Sequence, residues 1–168
     1  YFTLATSPID DGILPLKICE SRGGGQYRNE KEVDGMERLL EYHKLEHVYV
    51  GYPKQVVECR SLQKDRYKEL FNELGMEYKI VVGAPCHSSP KNTRRYEKAQ
   101  SLDEVPLFDF EFLIPNKNRW LEVCGACVEA DENTRSYGIT SESGKELWSG
   151  CSGVGLDRLV FAFLSQHG

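Results

Sequence analysis

Two segments far apart in the chain carry arginines in settings that suit an anionic ligand. In the first, the run Tyr27, Arg28, Asn29 and Glu30 puts Arg28 and Glu30 two positions apart, so that on a strand their side chains share a face. An arginine there can hold a phosphate through two hydrogen bonds, and the glutamate can accept one from an amine such as that of adenine. An exposed cross-strand ion pair, which contributes about 0 to 1 kcal/mol to stability, is the alternative.

The second segment is glycine-rich and leads into a predicted helix. Residues 148–159 have the sequence WSGCSGVGLDRL. Glycines allow a ligand to approach the backbone closely, and a helix N-terminus favours phosphate. Arg158 in the first helical turn opposes the helix dipole, which favours acidic residues there. This arrangement indicates an anionic ligand, with a purely structural strand-to-helix turn as the alternative.

A third feature is a carboxylate on a predicted strand, residues 120–129. Alternation along this strand places Glu122, Cys124 and Ala126 on one face. A carboxylate on the inner face of a sheet needs a partner, either a metal ion that bridges phosphates or a set of hydrogen bonds. Cys124 and Cys127 form a single CxxC whose members point to opposite faces, which argues against a shared metal ion.

Hydrophobic periodicity predicts the elements that position these residues. A helix is predicted over residues 53–75, with Pro53 at its start and Gly75 after its end, and a final helix over residues 154–166. Strands are predicted at residues 13–18, 26–30, 45–50, 78–82, 107–114, 120–129 and 145–150, with a polar loop at 83–106. Strands joined by hairpins with few helices favour an α+β fold with an antiparallel sheet.

Composition limits the class of protein. A chain of 168 residues with 40% apolar and 28% charged residues is long enough for one folded domain. Its net charge of -5 argues against a nucleic-acid binder that uses its whole surface. There is no apolar run of membrane-spanning length and no signal peptide, so we expect a cytoplasmic protein without membrane contact. The first residue is Tyr rather than Met, which suggests a piece of a longer protein.

Taken together and in this order, the segments resemble the catalytic core of class II aminoacyl-tRNA synthetases over nearly the whole chain. Residues 27–30 with Arg38 and Tyr42 resemble motif 2 of that class, and residues 153–158 resemble motif 3. Residues 14–18, 35–38 and 148–155 are similar, more narrowly, to the seryl-tRNA synthetases, especially the zinc-dependent form of methanogens. The related amino acid:carrier-protein ligases share this core. The resemblance implies that residues 1–168 form a single domain with an antiparallel sheet flanked by helices.

The resemblance also implies a role for each matching residue around ATP. Arg28 would hold the α-phosphate, and Glu30 would receive the adenine amino group. Tyr42 would stack on adenine. Arg158 would cover the other face of the base and reach the γ-phosphate, which Arg38 would contact from the loop. Arg28 and Arg158 are therefore the predicted catalytic residues, acting through positioning and charge stabilisation.

Two metal ions are implied in the same way. Glu122 would hold Mg²⁺ that bridges phosphates. In the zinc-dependent relatives two cysteines and a glutamate bind Zn²⁺, and Glu46 and Cys151 fall at two of those positions. The third position lies within residues 6–10, TSPID, which contain no cysteine. Either that loop is missing, the site is lost, or Cys19 substitutes, and Cys151 as a buried apolar residue is the alternative.

The implied activity is ATP-dependent activation of serine or another small amino acid to an aminoacyl-adenylate, followed by transfer to tRNA. One alternative is transfer to the phosphopantetheine thiol of a carrier protein. Another is a non-catalytic synthetase paralogue, because residues 123–127 differ from the polar serine-contacting segment of the relatives. Motif 1 and the N-terminal tRNA-binding domain have no counterpart in this chain, and the full-length protein is expected to be a homodimer.

Overall fold

A six-stranded antiparallel sheet forms the centre of the computed structural model, which describes residues 1–20, 26–27, 33–83 and 106–168. Its strands follow the order β1-β4-β8-β7-β6-β5, and a separate pair joins β2 to β3. The strands are β1 (Leu16–Glu20), β2 (Gln26–Tyr27), β3 (Glu41–Tyr42), β4 (Lys44–Gly51), β5 (Tyr78–Val82), β6 (Leu107–Ile114), β7 (Arg119–Ala130) and β8 (Trp148–Gly155). The predicted α+β class with an antiparallel sheet flanked by helices is confirmed.

Within the described ranges, three α-helices accompany the sheet: α1 (Pro53–Glu73), α2 (Glu132–Ser136) and α3 (Leu156–His167). The start of α1 is capped by Gln55, whose Oε1 accepts a hydrogen bond from the backbone N–H of Tyr52 at 2.9 Å. Gly75 follows its end with φ +64°, a conformation that favours glycine. The predicted helix over residues 53–75 is confirmed. None of the helices in the described ranges is long and apolar enough to span a membrane.

The hydrophobic core lies between one face of the sheet and the two long helices. From the sheet it takes alternate residues of β6, and from α1 it takes Tyr67 and Phe71. Ala162 joins the same core from α3. The β6 residues in it are Phe108, Phe110 and Phe112, each fully buried. Because side chains alternate along a strand, the residues between these phenylalanines point to the opposite face.

The end of the chain differs from the sequence prediction in one respect. The predicted final helix over residues 154–166 is confirmed as α3, which begins at Leu156, whereas the predicted strand at residues 145–150 has the wrong bounds, since β8 spans Trp148–Gly155. The glycines of this segment are held extended because β8 pairs with β4 on one side and β7 on the other. They therefore belong to a central strand rather than to a loop before the helix.

The two N-terminal strand pairs are nested in sequence. Strand β1 pairs antiparallel with β4, and β2 pairs antiparallel with β3 between them in sequence. The predicted strand at residues 13–18 begins later, at Leu16. Residues 28–30 of the other predicted strand, including Arg28 and Glu30, lie outside the described residues.

Candidate active site

A cavity of about 220 Å³ opens on the face of the sheet opposite the aromatic core. Its described walls come from β4, β6, β7 and β8, from the start of α3, and from the segment before β4. Five predicted site residues line it: Arg38, Tyr42, Glu122, Cys151 and Arg158. The fold thus brings to one cavity residues that are up to 120 positions apart in sequence.

Arg158 is fixed by two backbone carbonyls. Its Nε donates to the carbonyl oxygen of Glu37 at 2.9 Å, and its Nη1 donates to that of Glu122 at 2.9 Å. These acceptors carry no net charge, so they orient the guanidinium without neutralising it. Arg158 is consequently positioned at the cavity as a cation suited to an anionic ligand.

The start of α3 is tied to the segment before β4. The backbone N–H of His43 donates to Asp157 Oδ2 at 2.5 Å, and the backbone N–H of Leu156 donates to the carbonyl oxygen of His43 at 2.9 Å. Asp157 also satisfies the preference of a helix N-terminus for an acidic residue, which offsets the unfavourable placement of Arg158. These bonds set the position of Tyr42 relative to Arg158.

Glu37 anchors the loop that carries Arg38. The Glu37 carboxylate is buried and forms ion pairs with Lys117, at 2.8 Å, and with Arg119. Since the Glu37 carbonyl is also the acceptor for Arg158, Glu37 connects Arg38 and Arg158, the two arginines predicted to contact the γ-phosphate. Sequence reasoning gave Glu37 no role, because its partners come from a turn about 80 positions later.

The cavity is lined by a carboxyl group that the sequence analysis did not predict, that of Asp109. Asp109 lines the cavity with Glu122. Burial, followed by the negative charges of Glu122 and Glu111, raises the pKa of Asp109 to about 7. The neighbouring carboxyl groups of Asp109 and Glu122 form an oxygen-rich donor set suited to a divalent cation. The alternation of β6, with acidic residues at 109 and 111 between phenylalanines, was the signal that could have revealed Asp109.

A β-bulge directs Glu122 to the cavity. The register of β6 and β7 shifts so that Phe110 pairs with Cys124 while Glu111 pairs with Glu122. The prediction that Glu122, Cys124 and Ala126 share one face is therefore wrong, since Cys124 and Ala126 lie in the aromatic core. The extra residue inserted by the bulge reverses the alternation at that point.

Glycines on this face make room for charged side chains. A Cβ at Gly125 would overlap the Asp109 carboxylate, and a Cβ at Gly153 would overlap the Lys44 side chain. Both glycines line the cavity, as does Lys44. A ligand that approaches the backbone at Gly153, as the sequence predicts, would therefore also lie beside the Lys44 side chain.

The predicted zinc ligands are only partly brought together. Glu46 is not among the described residues that line the cavity, and its Oε2 pairs with Lys44 Nζ at 3.1 Å. Cys19 pairs with His47, the residue that follows Glu46 on β4. Because successive strand residues point to opposite faces, the side chains of Cys19 and Glu46 lie on opposite faces of the sheet. Substitution by Cys19 for the absent first cysteine is therefore wrong.

The sulfur atom nearest to Cys151 among the described residues is that of Cys127, and not that of Cys19. Cys151 pairs directly with Cys127 across β7 and β8, and the two Sγ atoms are 3.4 Å apart. Cys124 is buried in the aromatic core, so the prediction that Cys124 and Cys127 point to opposite faces is confirmed. The hydrogen bond between the Cys127 and Cys151 sulfurs, followed by burial, raises the pKa of Cys127 well above its usual value. Cys127 and Cys151 both border the cavity.

Comparison with known proteins gives consistent relatives. No protein-family model matches the chain. The type-2 serine–tRNA ligase of Methanothrix thermoacetophila is 31% identical over 165 residues, which cover 98% of this chain and 32% of that protein. That of Methanococcoides burtonii is 30% identical over 172 residues, covering 100% and 33% respectively. The chain spans about a third of the length of the curated relatives it matches.

Solved structures agree with this relationship. The seryl-tRNA synthetase of M. kandleri, solved in complex with A. aeolicus tRNASec, matches with a TM-score of 0.85 and 28% identity, over 99% of this chain and 33% of that one. The Cryptosporidium parvum prolyl-tRNA synthetase complexed with L-proline and AMP matches with a TM-score of 0.77 and 16% identity, over 100% and 34%. The Pyrococcus horikoshii seryl-tRNA synthetase complexed with ATP matches with a TM-score of 0.73 and 19% identity, over 99% and 36%. The fold is that of a class II synthetase catalytic core.

Proposed function

We propose that this chain, a class II synthetase core homologous to the type-2 serine–tRNA ligases, is the part of a longer enzyme that binds ATP and activates serine. The product would be seryl-adenylate with release of pyrophosphate, and the serine would then pass to tRNA. The observation that carries the proposal is that Arg38, Tyr42, Glu122 and Arg158, from separate segments, line one cavity. A shared cavity is the arrangement that a single bound nucleotide requires.

The cationic wall of the cavity would bind the triphosphate. Arg158 would meet phosphate oxygens with the guanidinium that the Glu37 and Glu122 carbonyls hold in place. Arg38 would add a second guanidinium, and Tyr42 would stack on adenine. Arg28 and Glu30 keep the roles that the resemblance implies, at the α-phosphate and the adenine amino group. Catalysis would come from in-line positioning of serine and from stabilisation of the charge on the α-phosphate.

The acidic wall would hold Mg²⁺. Glu122 is the predicted ligand, and the neighbouring Asp109 carboxyl fits as a second oxygen donor. Bound Mg²⁺ would neutralise negative charge on the phosphates. Ionisation of Asp109 next to Glu122 is unfavourable in the absence of a cation. A bound cation would therefore stabilise the charged form of Asp109.

The acceptor in this proposal is tRNA. The two curated relatives described above are named serine–tRNA ligases, and the M. kandleri enzyme was solved with a tRNA bound. These names favour tRNA over a carrier-protein thiol. The proposal includes a homodimer of the full-length protein, a cytoplasmic location where tRNA is charged, and residues 1–168 as one catalytic domain. Zn²⁺ is included through Cys151, the implied zinc ligand that borders the cavity.

Amino-acid-dependent exchange of pyrophosphate into ATP, measured on the full-length protein with each of the twenty amino acids, tests the proposal. We expect exchange with serine, and a reduction of roughly 10²- to 10³-fold in Arg158→Ala, because the cation that binds the γ-phosphate of the leaving pyrophosphate is lost. Arg66→Ala is the matched control, since Arg66 is exposed on α1 and pairs with Glu69.

Two results would overturn the proposal. One is the absence of serine-dependent exchange by the wild-type protein with Mg²⁺ and Zn²⁺ present, and ATP binding without exchange would then favour a non-catalytic paralogue. The other is transfer of labelled amino acid to a carrier protein but not to tRNA, which would move the protein to the carrier-protein ligases.

A further inference from the structure

The carboxylate of Glu37 joins the loop that carries Arg38 to the segment that connects β6 and β7. Its side chain is only 4% exposed, and it forms ion pairs with Lys117, at 2.8 Å, and with Arg119. The two cationic side chains are each 44% exposed, so they reach inward from the surface to the buried carboxylate. A buried charge requires compensating partners, and here both described partners come from one short segment. The carboxylate therefore attaches the loop to that segment.

The segment between β6 and β7 presents both cations to one carboxylate. It is a single 3₁₀ turn, in which the backbone N–H of Asn118 donates to the carbonyl oxygen of Pro115 at 3.1 Å. Asn118 has φ +46°, in the left-handed region that asparagine adopts more readily than most residues. The chain changes direction at Asn118, and Lys117 before it and Arg119 after it both reach Glu37.

The loop that carries Arg38 is closed by its own backbone hydrogen bonds. The N–H of Asp34 donates to the carbonyl oxygen of Arg38 at 3.2 Å, which forms an antiparallel bridge. The N–H groups of Glu37 and Arg38 both donate to the carbonyl oxygen of Asp34, at 3.0 and 3.3 Å. Because these bonds make the loop one small closed unit, ion pairs that hold the Glu37 carboxylate also hold the backbone of Arg38.

The backbone of the same residue meets Arg158 at the start of α3. The Glu37 carbonyl oxygen accepts a hydrogen bond from Arg158 Nε at 2.9 Å, and the Glu122 carbonyl oxygen accepts one from Nη1 at 2.9 Å. These bonds leave the N–H groups of Nη2 for phosphate oxygens. Lys117 Nζ also lies 5.8 Å from the centre of the Phe161 ring on α3. The position of the Arg158 guanidinium therefore depends on where the ion pairs place Glu37.

We propose that Glu37 is a positioning residue for the terminal phosphate of the bound nucleotide, a role that rests on the proposed function. Through Lys117 and Arg119 it holds Arg38 and Arg158 at the spacing at which both guanidinium groups reach one γ-phosphate. The Glu37 carboxylate itself stays on the two cations and does not contact phosphate. Donors that are held in place before the ligand arrives stabilise its charge without the cost of reorienting.

Stability alone does not account for this arrangement. A buried ion pair often contributes no more net stability than apolar side chains of similar size, because desolvation of the charges offsets their attraction. Its directional contacts instead fix one orientation of the groups that it joins. Lys117 and Arg119 are not among the described residues that line the cavity. We therefore expect them to affect phosphate binding through Glu37 and not by contact with the ligand.

Equilibrium binding of ATP and of AMP to the full-length protein tests the proposal. The two nucleotides share adenine, ribose and the α-phosphate, and only ATP carries the γ-phosphate. Glu37→Gln keeps the size of the side chain and the backbone carbonyl but removes the charge. We expect it to weaken ATP binding by roughly 10-fold and AMP binding by less than about 3-fold, because only the γ-phosphate loses its aligned arginines. Equal weakening of both nucleotides would indicate general damage to the site and would overturn the proposal.

A variant at the other end of the ion pair shows whether the pair carries the effect. Arg119→Gln is expected to weaken ATP binding by about 3-fold or more, and it serves as the test if Glu37→Gln does not fold. The double variant should bind ATP within about 2-fold of Glu37→Gln alone, because two residues that act through one contact are not additive. Additive losses would overturn the proposal.

Lys79→Gln is the matched control for loss of a positive charge. Lys79 is 42% exposed and pairs with Glu111 at 2.9 Å, so its exposure and its ion pair resemble those of Arg119. We expect this variant to bind both nucleotides within about 2-fold of the wild-type protein, since Lys79 has no described contact with the loop. A loss of ATP binding as large as that of Arg119→Gln would show a general effect of charge and would overturn the proposal.

Hydrogen exchange without nucleotide measures the attachment of the loop itself. We expect Glu37→Gln to speed exchange of the Glu37 and Arg38 amides by at least about 10-fold, while the amides of the central strand β8 keep their wild-type rates. Unchanged exchange at both amides would overturn this proposal alone, as would wild-type affinity of Glu37→Gln for ATP. Failure of the wild-type protein to bind ATP would instead overturn the proposed function, and the positioning role with it.

Discussion

The two faces of the central sheet use the same strands for different purposes. On one face, Phe108, Phe110 and Phe112 of β6 pack against α1 and are fully buried. On the other face, Asp109 points into a cavity that also holds Glu122, whose charge helps to raise the pKa of Asp109 to about 7. Because successive strand residues point to opposite faces, a stabilising core and a charged site are built from one stretch of sequence.

This division explains how the cavity tolerates unfavourable charges. A half-buried carboxyl group at Asp109 and the glycines beside it cost stability, and the aromatic layer on the other face of the sheet provides the compensating burial. Phe71 makes edge-to-face contacts with Phe110 and Phe112 at ring-centre distances of 5.5 and 4.7 Å. The comparison predicts that substitutions on one face change stability, while those on the other change ligand binding.

The largest expected effect is on the aromatic face. Phe110→Ala is expected to lower the free energy of unfolding by about 3 to 5 kcal/mol, because it removes a fully buried ring and leaves a cavity. Urea denaturation of the folded full-length protein measures this change. Val82→Ala, at a half-exposed position on edge strand β5, is the control and should cost less than about 1 kcal/mol. If Phe110→Ala lowers the free energy of unfolding no more than Val82→Ala does, the proposed difference between the two faces is wrong.

A smaller effect, on ligand binding alone, is expected at Glu122. Glu122→Gln should raise the Mg²⁺ concentration for half-maximal pyrophosphate exchange by roughly 10-fold, because a charged oxygen ligand becomes a neutral one. Arg158 keeps its anchor in this variant, since it donates to the Glu122 backbone carbonyl. A Mg²⁺ titration of exchange measures the shift, and Glu142→Gln, on the exposed turn before β8, is the control. Equal Mg²⁺ dependence of Glu122→Gln and wild type would contradict the assignment.

The smallest effect is a pH dependence at Asp109. Its pKa of about 7 in the folded protein lies above the value near 4 in the unfolded chain, so the folded state binds the extra proton between these pH values. The contribution of Asp109 to stability is therefore present at acidic pH and is lost as pH rises toward 7. Asp109→Asn should be more stable than wild type at pH 8 by about 1 kcal/mol, a value reduced for partial solvent exposure.

Unfolding measured from pH 5 to pH 8 in the absence of divalent cations tests this prediction. The difference between Asp109→Asn and wild type should increase with pH and level off above pH 7. Added Mg²⁺ should reduce it, because a cation between Asp109 and Glu122 stabilises the charged form. A difference that does not vary with pH would show that Asp109 ionises as an ordinary surface carboxylate.

Local patterns predicted much of the fold and part of the site. Helix α1 follows from its apolar spacing with Pro53 and Gly75 at its ends, and β6 follows from its alternation. The motif residues Arg38, Tyr42, Glu122, Cys151 and Arg158 were identified from the sequence and share one cavity. Arg28 and Glu30 lie outside the described residues, so their roles remain predictions.

What could not be predicted depends on register and on contacts between distant segments. The bulge that turns Glu122 away from Cys124 is set by how β7 pairs with β6, which no local pattern encodes. The contact of Cys127 with Cys151 likewise requires the β7–β8 register. The amino-acid order therefore determined which side chains and which elements this chain has. Strand pairing decided which donors meet, because a shift of one residue moves every later side chain to the opposite face.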